Sequence, residues 1–91
     1  MSNSEIAAVF REIADLLERR KDSWFKIRAY RRAADAVEQH PAPVECLASE
    51  NRLQDIPGVG EAIARKIAEL VDTGKLEFLE RLKSEMAQKG K

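Results

Sequence analysis

A chain of 91 residues with 44% hydrophobic content is long enough for one small folded domain but too short for a deep enclosed substrate cavity, so function is expected at its surface. No apolar run approaches the roughly 18 residues that cross a bilayer, the N-terminus lacks a charged-then-apolar signal pattern, and the lone Cys46 excludes an intrachain disulfide, a thiolate zinc site or a CxxC pair. The chain therefore reads as cytoplasmic, without a membrane partner. The formal net charge of zero hides an asymmetry: Arg19 to Arg32 carries seven basic residues against Asp22 alone, which leaves the remainder acidic.

Helical patterns follow one another along the chain. Ser2, Asn3 or Ser4 can cap a first helix to about Arg20, with Ile6, Val9, Phe10, Ile13, Leu16 and Leu17 as its apolar stripe. Asp22 or Ser23 can cap a second helix from Trp24 to Glu38, ended by Pro41, whose apolar face is Ile27, Tyr30, Ala33, Ala34 and Val37. On it Arg28, Arg31 and Arg32 lie at helical-neighbour spacing, and Trp24, Phe25 and Tyr30 are interleaved with the cations, a combination suited to phosphates and bases.

Pro41 to Ala48 reads as a connector with room for one helical turn, and Ser49 can cap a short helix over Glu50 to Asp55. A helix from Gly60 to Asp72 is stopped by Gly74, and a last one from Leu76 to Met86 carries Leu76, Leu79 and Leu82. Fraying is expected at residues 1–3 and 87–91. The expected fold is a single all-α domain over 1–91: a bundle of four to five helices and no sheet.

The segment DIPGVG, Asp55 to Gly60, joins two of these helices. Pro57 sets φ at the turn entry, Gly58 permits a positive φ, and Val59 can plug back into the core. The apolar spacing Leu53, Ile56, Val59, Ala64 and Ile67 is that of a helix-hairpin-helix motif. Gly58, Val59 and Gly60 then present backbone N–H groups at a helix start, where a phosphate oxygen can approach whatever the base sequence. Such hairpins resemble those of DNA repair proteins. That likeness implies a monovalent cation, Na⁺ or K⁺, on the carbonyls of Gln54, Ile56 and Val59, and no other cofactor.

Upstream the resemblance is more specific. FKIRAYRRAA (Phe25 to Ala34), IPGVGEAIARKI, DTGKL (Asp72 to Leu76) and EIADLLE (Glu12 to Glu18) are together similar to the N-terminal domain of family X DNA polymerases over about residues 5 to 83. The resemblance implies binding at the 5′-phosphate side of gapped or nicked DNA, with Lys26 on the phosphate and Tyr30 lining its pocket. In the polymerase beta branch it also implies 5′-deoxyribose-phosphate lyase chemistry, which would run through a Schiff base on Lys66 with Arg65 or the Arg28 cluster as cationic neighbour. The palm and its metal-binding aspartates do not fit in this length, so a free-standing relative or an excised domain is expected, without polymerase activity.

Phe25 stands where the lyase branch has a stacking histidine. No lysine occurs between Arg52 and Lys66, with Ala62 and Ala64 nearby instead, and Phe78 replaces a phosphate-binding lysine. Three function classes stay open. A phosphate-gripping DNA module in repair leads. A lyase using Lys66 is the enzyme alternative, and a module that meets a repair-protein partner through Trp24, Phe25 and Tyr30 is the third. The binding set on the leading reading is Phe25, Lys26, Arg28, Tyr30, Arg31, Arg32, Gly58, Val59, Gly60 and Arg65, on gapped, nicked or single-stranded DNA.

Overall fold

Capping and stopping signals divide the chain into five α-helices in a computed structural model that describes residues 1–89. Helix α1 (Asn3–Arg19) opens on a reciprocal cap: the Ser2 hydroxyl accepts from the Glu5 N–H at 3.1 Å, and Glu5 Oε1 accepts from the Ser2 N–H at 2.8 Å. It closes with Lys21 in the left-handed region at φ 60°, where the N–H groups of Lys21 and Asp22 turn back onto the Glu18 and Leu17 carbonyls. That tight stop aims α2 (Trp24–Gln39), capped by Ser23, back along α1.

The connector carries the helical turn that its sequence leaves room for, but the segment after it differs from expectation. Helix α3 spans Val44–Ser49, and a single 3₁₀ turn covers Leu53–Asp55. Ser49 ends a helix instead of capping one, its hydroxyl donating to the Cys46 carbonyl at 2.8 Å. Asn51 then takes φ 56°, and the Arg52 N–H closes on the Leu47 carbonyl at 2.8 Å. Asn tolerates this backbone better than most residues, so the reversal falls there and leaves too few residues for a second α-turn before Pro57. Asn3 ties the connector down, its Nδ2 donating to the Ala42 carbonyl and its Oδ1 accepting from the Val44 N–H, both at 2.9 Å. His40, the last cap of α2, turns its ring toward Ala42 and not toward the helix carbonyls.

Helix α4 (Glu61–Thr73) ends at Gly74 with φ 75°, and α5 (Glu77–Lys89) folds back. The polar tail stays helical to Lys89; residues 90–91 lie outside the described residues. No strand occurs among the described residues. The stripes read from the sequence meet in one core: Ile6, Phe10, Ile13 and Leu17 from α1 pack on Ile27, Tyr30 and Val37 from α2, joined by Ile67 and Leu70 from α4 and Leu79 and Leu82 from α5. Each large side chain so buried contributes about 1.5–3 kcal/mol. Phe10 stacks on Tyr30 (centroids 5.9 Å) and Tyr30 on Phe78 (6.1 Å), a column running from the core's centre to the surface.

One ion-pair junction fastens the α1–α2 corner to α5. Arg20 bonds Asp22 at 2.6 Å and Glu85 at 2.8 Å. The Arg20 guanidinium, helped by the Ser23 N–H, holds the Asp22 carboxyl down to about 2 from its ordinary 3.8. Because the folded value lies below the unfolded one, the stabilisation is present above about pH 4 and is lost as pH falls toward 2. Urea denaturation between pH 4 and 2 should show a falling midpoint, and Asp22→Asn should flatten part of that fall. An acid limb unchanged by Asp22→Asn would assign the loss to other carboxylates.

Candidate nucleic-acid interface

The hairpin is a four-residue turn closed by the Val59 N–H on the Ile56 carbonyl at 3.0 Å, with Pro57 second and Gly58 third at φ 92°, the pattern of a type II turn. Val59 and Ile56 are buried and anchor it to the core. Gly58 answers to a second constraint as well, since a Cβ there would sit 3.1 Å from Arg32 Cγ and 3.2 Å from Cδ. The arginine stem thus lies along the turn.

Gly60 differs. It has ordinary extended backbone (φ −89°, ψ −174°), a Cβ there would meet nothing within 4 Å, and it caps α4 without a side-chain bond. The Ala64 N–H closes on the Gly60 carbonyl at 2.9 Å, while the N–H groups of Glu61, Ala62 and Ile63 find no acceptor among the described residues. An open helix start results, with the positive end of the dipole facing outward. Glu61 is the acid nearest to it in sequence, and its carboxylate is engaged by Arg65 at 2.8 Å.

The arginines of α2 separate. Arg31 turns to α1, bonding Glu18 at 2.6 Å and approaching Asp15 at 3.6 Å. Arg28 and Arg32 have no ion-pair partner among the described residues and, with Phe25 and Ala29, line a depression of about 240 Å³. Phe25 is 85% exposed and Trp24 59%. Lys26 lies 3.6 Å from Asp22.

Phe78 borders three depressions: a small one of about 170 Å³ beside Arg20 and Glu85, and two larger grooves. The larger, about 500 Å³, runs between the hairpin and α2 and is lined by Lys26, Tyr30, Gly58, Gly60, Ala62 and Phe78. The other, about 300 Å³, gathers Arg65, Lys66 and Arg81 with Glu69 and Glu77. Lys66 is half-buried, its Nζ 5.0 Å from the Phe78 ring centroid and 6.0 Å from that of Tyr30, a cation drawn to ring faces. Burial pushes the Tyr30 hydroxyl up from its usual value. Lys26 and Tyr30 thus line one groove and Arg65 and Lys66 the other. Arg81 is a member of this groove that helix patterning alone does not single out; its spacing of three from Phe78 on α5 is the signal the sequence carries.

The turn carbonyls named for a cation are exposed to different demands. Ile56 accepts the Val59 N–H, whereas the Gln54 and Val59 carbonyls accept no hydrogen bond among the described residues. Uncharged oxygens of this kind suit a hard monovalent ion. No cluster of three His, Cys, Asp or Glu side chains able to hold a metal occurs among the described residues.

Comparison with protein families matches residues 1–76 to a family described as "Helix-hairpin-helix domain". Among curated proteins the chain is 31% identical over 88 residues to the DNA polymerase/3′-5′ exonuclease PolX of Bacillus subtilis (strain 168). The match takes in 97% of this chain and 15% of that protein, so the chain spans only a small part of its relative's length. The family match runs through the capped α1, the α2 face and the Pro57–Gly58 turn; this chain belongs to the helix-hairpin-helix domain family, in the form that family X DNA polymerases such as PolX carry in their N-terminal region.

Proposed function

We propose that the domain binds DNA without regard to base sequence by gripping backbone phosphates at the hairpin, preferring gapped, nicked or 5′-phosphate ends in repair. The observation that carries this reading is the open start of α4: three N–H groups behind Gly60 without an acceptor, and Arg32 along the adjoining turn without an ion-pair partner, among the described residues. Hydrogen bonds from such groups to an ionised phosphate are charge-assisted and blind to sequence. Arg28 and Arg32 extend the positive surface along α2, and Phe25 offers a ring to an unstacked base. A Na⁺ or K⁺ on the Gln54, Ile56 and Val59 carbonyls would add positive charge beside that phosphate. The likeness to a protein named as a DNA polymerase and exonuclease supports the same direction.

Lys66 serves here as a cation and not as a nucleophile. Its amine is held against ring faces, and the two alanines upstream supply no second amine.

Affinity for intact, nicked and gapped duplexes across a salt series tests the reading. Each phosphate contact contributes about 0.9 to the slope of log affinity against log salt. Arg28→Ala with Arg32→Ala should lower that slope by about two units, while Arg31→Ala, whose partner is Glu18, should change it by less than about half a unit. Equal effects of the two, or a wild-type slope near zero, would count against phosphate gripping.

A further inference from the structure

Two carboxylates bracket the hairpin, and each is held by an arginine. Asp55, before Pro57, accepts from Arg52 Nε at 2.8 Å. Glu61, the first residue of α4, has the Arg65 guanidinium 2.8 Å from its Oε1, about one helical turn further on. The turn between them thus carries no unpaired carboxylate among the described residues. An acid followed four residues later by a base is the favourable order on a helix. Both side chains are exposed, Glu61 at 66% and Arg65 at 78%, so the pair contributes little to holding the fold together. Its effect lies in where it leaves the carboxylate. Glu61 lines the hairpin–α2 groove and also a depression of about 250 Å³ on the connector side of α4, beside Gln54 and Ala64, whereas Arg65 lines the second and not the first. The pairing therefore draws the carboxylate along α4 and toward the connector, away from the N–H groups of Glu61, Ala62 and Ile63. Released, a first-turn carboxylate is attracted to those same groups, because they form the positive end of the helix.

We propose that Arg65 is a positioning residue for the DNA phosphate: it holds Glu61 aside and so keeps the start of α4 open. This rests on the hairpin binding a phosphate. Glu61 is the phosphate's nearest competitor, because a carboxylate turned back onto the first turn takes up the same donors and also repels the incoming anion. Two like charges about 5 Å apart, even in surroundings close to bulk water, already weaken binding severalfold. The contribution of Arg65 to affinity therefore runs through Glu61, and it disappears when Glu61 carries no charge.

Affinity for one duplex at fixed salt tests this in the wild type, Arg65→Ala, Arg65→Lys, Glu61→Gln, and Glu61→Gln with Arg65→Ala, each checked for helix content and melting. Arg65→Ala should bind about fivefold more weakly than the wild type. Arg65→Lys, which keeps a cation within reach of Glu61, should recover affinity to within about twofold. With Glu61→Gln in place there is no charge to hold aside, so adding Arg65→Ala should then change affinity by less than about twofold. Equal losses from Arg65→Ala in both backgrounds would make Arg65 a direct phosphate contact, overturning the proposal and leaving phosphate gripping intact. An Arg65→Ala domain with wild-type affinity overturns it too. The DNA-free domain supplies a second readout: Arg65→Ala should move the amide signals of Ala62 and Ile63 as the carboxylate turns onto them, and should leave them in place when Glu61→Gln is present. Amides unmoved by Arg65→Ala overturn the proposal whether or not DNA binds. A wild type that binds no duplex removes the hairpin reading and the proposal with it.

Discussion

Gly60→Asp is expected to separate stability from binding, making the domain slightly more stable while lowering its DNA affinity about tenfold or more. The backbone at Gly60 is ordinary extended structure and the space around a Cβ is empty, so the substitution introduces neither strain nor a clash. An aspartate at the helix cap accepts from the free N–H groups of the first turn and places its charge at the positive end of α4, worth a few tenths of a kcal/mol over glycine. Those are the groups assigned to the DNA phosphate. The variant satisfies them internally and sets a negative charge in the phosphate's path. Gly58 offers no such clean experiment, because any side chain there meets both a positive φ and the Arg32 stem. Unfolding midpoints and DNA titrations on the same preparation decide the matter; a stable Gly60→Asp domain with wild-type affinity removes the α4 start from the interface.

Phe10→Ala is expected to cost about 3–5 kcal/mol, a large part of what holds a domain of this size together. Phe10 is fully buried and is the inner member of the Phe10–Tyr30–Phe78 column. The missing ring leaves a cavity between α1 and α2 that the rigid neighbours close only in part. Tyr30 then loses its support on the core side, and the wall of the large groove loosens with it. Phe10→Leu, which keeps most of the volume, should cost distinctly less. Chemical denaturation of the two variants measures the difference, and a Phe10→Ala midpoint near the wild-type value would mean that the column is not part of the core.

Local chemistry was legible in the sequence because its causes are local. The Ser2 and Ser23 caps, the Gly74 stop and the Pro57–Gly58 turn depend on residues within one or two turns, and each lies where its side-chain or backbone preference puts it. The Ser49 cap failed for a related reason. Two nearby residues competed to set the chain reversal, and Asn51 in the left-handed region prevailed. Arg31 shows the other limit. Helical spacing placed it with Arg28 and Arg32, but its partners Glu18 and Asp15 belong to α1, and that pairing exists only once the two helices meet. Phe78 is the strongest case. In the sequence it stood only for a lysine that was absent; in the fold it forms a wall, with Lys26 and Tyr30 lining one side and Arg65 and Lys66 the other.

Contact between DNA and the free backbone at the hairpin is read directly by amide shifts in a ¹⁵N-labelled domain titrated with a short duplex. The largest changes should fall on Gly58 and Gly60 to Ile63, with a second group from Lys26 to Arg32 on α2, and the same pattern should appear with a duplex of unrelated sequence. Shifts confined to Trp24 and the α1–α2 corner, with the Gly60 to Ile63 amides unmoved at saturation, would contradict the account.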